Sequence, residues 1–238
     1  LNKADCNAQR SLNPVPVSEG YTTMKLRSSP PSPFGRKVKL AIAILGLKDT
    51  IEIVEANTAD PADSLRGQNP LGKIPALVLE NGDVLYDSAV ILEYLDFLAG
   101  GNKLFPAGEA RFAVLRDQAL ADGIMDAALL RVYEKRFKQP GFRDPAWDAY
   151  QSEKVARGLA YFEQNTPPAP VSAEEVDAAG LTLACTLGYL DLRFGDSWRR
   201  DHPGLVKWLA DFEVAVPAYA STRQPAALLP DDAAVELK

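Results

Sequence analysis

The segment Asn69-Pro-Leu-Gly-Lys-Ile-Pro-Ala-Leu77 constrains the fold more than any other part of the chain. It sets Pro75 directly after Ile74, inside a run that otherwise reads as a strand. A trans proline there would remove a ladder donor and restrict Ile74. A cis bond costs only about 0.5–1 kcal/mol before proline. It would turn the Ile74 N–H and C=O outward, where a ligand with a peptide backbone could pair as an added strand. Taken alone, the two isomers balance; the surrounding pattern favours cis.

Tyr86-Asp87-Ser88 supplies the second constraint. A short strand, Val84 to Tyr86, becomes a helix over Ser88 to Leu98 at this point. Free N–H groups and the positive end of the helix suit a carboxylate. Ser88 adds a hydroxyl donor, and Asp87 suits a ligand ammonium. Plain helix capping by Asp87 or Ser88 is the simpler reading of the pair by itself. Beside the Ile74-Pro75 wall, ligand binding becomes the better one.

The rest of the chain divides by period. Residues 24–98 mix strand and helix signals. Met24 to Arg27 reads as a strand. Ser32 is placed as N-cap of a helix with Pro33 at its first position. Val38, Ile42 and Leu45 recur at helical spacing, and Gly46 ends the run. Ile51 to Glu55 alternates as a strand. Asp60 to Arg66 fits either a short helix or an irregular turn. Ile74 to Leu79 and Val84 to Tyr86 form a hairpin around Asn81-Gly82. The order predicts a small mixed sheet with helices on both faces, a thioredoxin-like α/β domain. Residues 99–108 form a glycine-rich linker, and 109–238 an all-α domain. There, helices are expected over Glu109 to Lys138 with a bend near Gly123, Trp147 to Gln164, Asp177 to Arg193, and His202 to Phe212. The third is the most apolar and is expected at the centre. An alanine- and proline-rich C-terminal tail is expected to wrap the surface. Residues 1–23 read as a disordered or artefactual leader, with Met24 as the natural start.

Composition excludes several classes. The net charge of −6 argues against broad binding to nucleic acid or acidic membranes. No run of 18 apolar residues exists to span a membrane. With only Cys6 and Cys185, no disulfide framework is implied. His202 is the only histidine, so a histidine-rich metal site is excluded. Cys185, in an apolar stretch, reads as a buried small hydrophobe.

Ser32 is the candidate catalytic residue. Its hydroxyl, at a helix start, can donate to a bound thiolate; the same physics lowers cysteine pKa values at helix N-termini. A cap without chemistry is the alternative. Lys73 is placed to meet a ligand carboxylate, and Arg36 is a weaker candidate. Asp122, Asp126 and Arg131 lie on a helix that could border a co-substrate cleft or simply be its solvated face. Tyr133, Phe137 and Trp198 read as packing residues.

Five segments now carry a resemblance: Ser32-Pro-Phe-Gly-Arg-Lys-Val38, Asn69 to Leu77, Asp87-Ser88, Ala121 to Asp126, and Cys185 to Arg193. Over roughly residues 24–221 the chain resembles the cytosolic glutathione S-transferase superfamily, and within it a bacterial YibF-like branch. The resemblance implies the glutathione transferase fold, glutathione as co-substrate, a small and apolar electrophile, and no metal. It implies a homodimer in the cytoplasm. It puts the γ-glutamyl carboxylate at Asp87-Ser88, the cysteinyl backbone at Ile74 beside cis Pro75, the sulfur at Ser32, and the glycyl end at Lys73. Phe34 of the serine-proline-phenylalanine motif joins the binding residues. A non-catalytic protein-binding relative and a glutathione-dependent peroxidase or isomerase are the alternatives. One departure concerns the core helix of the second domain: the family's Ser/Thr-x-x-Asp box falls on Asp177 and Gly180, so the reciprocal cap is lost.

Overall fold

The computed structural model describes residues 23–224. The expected leader up to residue 22, Cys6 and the tail beyond residue 224 lie outside the described residues. Among the described residues, four strands form one sheet in the order β2-β1-β3-β4. They are β1 (Met24–Ser28), β2 (Ile51–Glu55), β3 (Ala76–Val78) and β4 (Val84–Leu85). β1 pairs parallel with β2 and antiparallel with β3, which pairs antiparallel with β4. The parallel pair needs a crossover, supplied by α1 (Pro33–Ile44).

Alternation along β1 explains the two faces. Met24 and Leu26 join the main core with Val38 and Ile42 of α1 and Ile91 and Leu95 of α3 (Ser88–Leu98). Arg27 points the other way, towards α2 (Leu65–Gln68). Its guanidinium donates to Ser64 Oγ, Gln68 Oε1 and Asp63 Oδ1 at 2.7–2.8 Å. Asp63 in turn accepts from the Asn57 and Leu65 N–H groups, bonds that hold its carboxyl below the usual range. The stretch left open as helix or turn is therefore a turn ordered around a buried arginine, with the helix beginning only at Leu65.

Both hairpin strands are shorter than the sequence suggests. Pro75 has no N–H to give, and β3 starts after it. Tyr86 has already left β4 for the cap of α3. Asn81 and Gly82 make the turn between them, Gly82 at φ 86°.

After α3, the buried Asp96 carboxylate collects the Asn102, Lys103 and Leu104 N–H groups and fixes the connecting segment. The helices α4 (Ala110–Phe137), α5 (Pro145–Gln164), α6 (Ala178–Phe194), α7 (Pro203–Ala215) and α8 (Ala218–Ser221) follow. The architecture is a thioredoxin-like α/β unit followed by an all-α unit. α4 runs through Gly123 without a break. α6 is buried nearly all round and packs most extensively on α4, as its apolar sequence suggests. Asp177 caps it, accepting from the Gly180 N–H at 2.8 Å.

Lys37 and Arg36 of α1 help join the halves. Lys37 is fully buried, and its ammonium sits 2.7 and 2.8 Å from the two Asp122 carboxylate oxygens on α4. Arg36 crosses α6 at Gly188, where a Cβ would stand 2.3 Å from its Nη1. It then donates to the Tyr219 carbonyl and Thr222 Oγ1.

Candidate functional site at one end of the sheet

Topology gathers three loops. β1 ends, β3 begins and β4 ends at the same edge, because β3 is antiparallel to both neighbours. Ser28 to Ser32, Lys73 to Pro75, and Tyr86 to Ser88 therefore emerge together. No single motif shows this; the register does.

The first loop ends in Ser32, the N-cap of α1. Its Oγ accepts from the Gly35 N–H at 3.0 Å. An accepting hydroxyl still holds its own proton, and Ser32 donates it to nothing among the described residues. Gly35 allows α1 to close on β1: a Cβ there would lie 2.1 Å from Ser28 Oγ. Phe34 is half-buried, with the Lys37 ammonium 6.0 Å from its ring centroid.

Asn69 builds the second loop. Its Oδ1 accepts from the Leu71 N–H, and its Nδ2 donates to the Lys73 carbonyl. Gly72 sits at φ 60°, as the turn requires. The Ile74–Pro75 peptide is cis, as is Tyr86–Asp87. Neither the N–H nor the C=O of Ile74 has a backbone partner among the described residues. Lys73 is exposed.

The third loop opens α3. Asp87 caps it, accepting from the Ala89 N–H at 3.0 Å. The N–H groups of Ser88 and Val90 keep no partner among the described residues, as helix starts dictate. Ser88 is 3% exposed, and its hydroxyl makes no hydrogen bond there either. These donors and the helix dipole form an anion cradle.

α4 closes the site with Asp122 and Asp126. Burial raises the Asp122 carboxyl above its ordinary value, the Lys37 charge lowers it, and the charges of Asp87 and Asp126 raise it again. Partial burial also raises Asp126, while Lys73 pulls it down and Asp87 pushes it up. These carboxylates and lysines thus feel one another. Sequence reasoning did not weigh Lys37; a lysine among the apolar positions of an amphipathic helix was the signal.

Other candidates lie elsewhere. Arg36 turns to Tyr219, its guanidinium carbon 4.0 Å from the ring centroid. Arg131 holds Asp148 of α5 at 2.9 and 3.0 Å. Tyr133 and Phe137 stack edge to face on the outside of α4 and are exposed, so they are not core packing. Trp198 does pack, its ring N–H on Asp191. Cys185 is buried, which pushes its thiol up to about 11 and leaves it inert. Among the described residues no group of three or more His, Cys, Asp or Glu side chains is arranged to hold a metal ion.

The sequence profile described as Glutathione S-transferase, N-terminal domain, matches residues 31–97. The GST-like protein YibF of Escherichia coli (strain K12) is 32% identical over 207 residues, covering 86% of this chain and 100% of that protein. The chain belongs to the glutathione S-transferase superfamily. A glutathione transferase family member from Pseudomonas fluorescens Pf-5, crystallised with bound glutathione, is 40% identical at a TM-score of 0.78, over 85% of this chain and 100% of that one. A second crystal structure of such a family member, from the same source, holds S-(propanoic acid)-glutathione; it matches at 40% identity and a TM-score of 0.74 over the same shares. In glutathione transferase terms, the gathered loops lie in the α/β half and α4 belongs to the helical half.

Proposed function

We propose that this protein is a glutathione transferase that joins the glutathione sulfur to a small electrophile. The observation that carries this is the convergence of three unsatisfied groups at one sheet edge. They are the Ile74 backbone pair, the open α3 start with Ser88, and the Ser32 hydroxyl. The Ser88 hydroxyl and the N–H groups of Ser88 and Val90 receive the γ-glutamyl carboxylate. Asp87, which keeps one oxygen for Ala89, turns the other to the γ-glutamyl ammonium. Ile74 pairs with the cysteinyl backbone, Lys73 meets the glycyl carboxylate, and Phe34 flanks the site. Ser32 donates its hydroxyl proton to the sulfur and, with the α1 dipole, favours the thiolate.

Conjugation fits better than disulfide chemistry because a serine, not a cysteine, stands at position 32. The Pseudomonas relative's S-(propanoic acid)-glutathione is a thioether, which supports the same direction for this chain. We also assign the protein to the cytoplasm as a homodimer. No helix among the described residues is long and apolar enough to cross a membrane. Val90 and Phe97 on α3 and Phe112 on α4 are exposed apolar side chains that suit contact with a second copy. Conjugation assays over a panel of electrophiles, with wild type and Ser32→Ala, test the activity. Saturable glutathione binding without turnover of any electrophile would favour a non-catalytic relative.

A further inference from the structure

A groove opens between α1, the edge strand β2 and the end of α8. Its volume is about 460 Å³. Ile42, Ile51 and Ile53 give it an apolar floor, and Lys39, Lys48 and Arg223 supply cations. No Asp or Glu lines it, in a chain whose net charge is −6. Arg223 is paired with Glu213. Lys39 and Lys48 have neither an ion pair nor a hydrogen bond among the described residues. Lys39 is half-buried, and burial and the Arg36 charge both lower its ammonium below the ordinary value. Ile53, though apolar, is 53% exposed.

The fold delivers the chain to this groove. Arg36 of α1 holds the Tyr219 carbonyl and Thr222 Oγ1, which fixes the end of α8. Ser221 to Gln224 then line one side of the groove, and Gln224 is the last described residue. The residues that follow, 225–238, have the complementary composition. Leu228, Leu229 and Val235 are apolar, Asp231, Asp232 and Glu236 are acidic, and the one cation is Lys238. At no more than about 3.3–3.6 Å per residue, Leu228 and Leu229 lie within about 18 Å of Gln224. A segment tethered so closely meets its site at an effective concentration of order mM.

We propose that residues 225–238 return as a strap over this groove, with Leu228 and Leu229 on the Ile42, Ile51 and Ile53 floor and Asp231 and Asp232 beside Lys39 and Lys48. Leucine contact takes the exposed isoleucine out of water. The carboxylates give each lysine the partner it lacks. As β2 is the edge of the sheet, the strap also covers a strand that would otherwise invite another chain. Pro30, which lines the same groove, belongs to the loop that ends in Ser32. The strap thus ties the segment after α8 to that loop.

Thiol labelling of the full chain tests this. With Cys6→Ser, and Cys185 buried, Ile53→Cys places one reactive thiol in the groove. Its rate with N-ethylmaleimide reads whether the groove is covered. Adding Leu228→Asp with Leu229→Asp is expected to speed labelling about tenfold or more, as apolar cover is lost. Asp231→Asn with Asp232→Asn should speed it by up to about fivefold, the range of exposed ion pairs. Lys39→Gln with Lys48→Gln should match that effect. Val171→Cys, outside the groove and 79% exposed, should label at one rate throughout. A variant that unfolds exposes Cys185 and takes up a second label, so the remaining variants decide. Equal Ile53→Cys rates with and without the tail substitutions would overturn the strap. So would slow labelling that depends on protein concentration, which gives the groove to a second copy. Slowing by added oleate, with the tail substitutions silent, would give it to a free amphiphilic anion and overturn the strap as well.

Discussion

On the sheet-edge side of Ser32, the groups offered to a ligand belong mainly to the backbone. Ile74 presents N–H and C=O, and the start of α3 presents open N–H groups with the Ser88 hydroxyl among them. On the α6 side the surface is made by side chains held between helices, Arg36, Tyr189 and Leu192 among them. A backbone site changes little when neighbouring side chains change. A side-chain site can be rebuilt by one substitution. The difference suits a protein that keeps one substrate fixed and leaves the other open to selection.

Both sides share α1 as a wall, so the largest effect comes from unpinning it. Asp122→Leu leaves the Lys37 ammonium buried without its partner. Loss of about 3–5 kcal/mol is expected in urea unfolding, as for other broken buried pairs. Lys37→Met with Asp122→Leu should restore most of it. If the single variant were as stable as wild type, the two sides would not depend on a common wall.

Ser32 stands where the sides meet, and its removal should separate binding from chemistry. A hydrogen bond to a charged group is worth about 1.5–3 kcal/mol, so Ser32→Ala should lower kcat about 10- to 100-fold. Glutathione affinity should stay within about twofold. The pH–rate profile should move up by about one to two units, because the thiolate loses a donor. A profile that does not move would make Ser32 a cap and nothing more.

Smaller changes on α6 should touch one side alone. Asp177→Ala removes the cap on Gly180 and should cost about 1 kcal/mol. Gly180→Ala should add up to about 1 kcal/mol, since a Cβ there meets only ordinary contacts at 3.5 and 3.8 Å. Thermal melts would read both changes. Either variant altering glutathione affinity would show that the two sides are less separate than their construction suggests.

The same contrast explains what the sequence could say. The Asn69 turn, the Asp87 and Asp177 caps and the Ser32-Pro33 helix start are local, and each is written in neighbouring residues. So is the apolar run of α6, and with these the α/β and all-α halves were legible. The ends of β3 and β4 were misjudged by one or two residues because pairing, not propensity, decides them. The Arg27–Asp63 turn, the Lys37–Asp122 pair and the Arg36 crossing at Gly188 join residues far apart in the chain. No periodicity announces such contacts.

Glutathione binding by calorimetry, with wild type and Ser88→Ala, tests the central claim most directly. Saturable binding to wild type, weakened about tenfold or more in Ser88→Ala, is the expected result. Folded wild-type protein that takes up no glutathione, or a Ser88→Ala variant that binds it equally well, would contradict the site built on the start of α3.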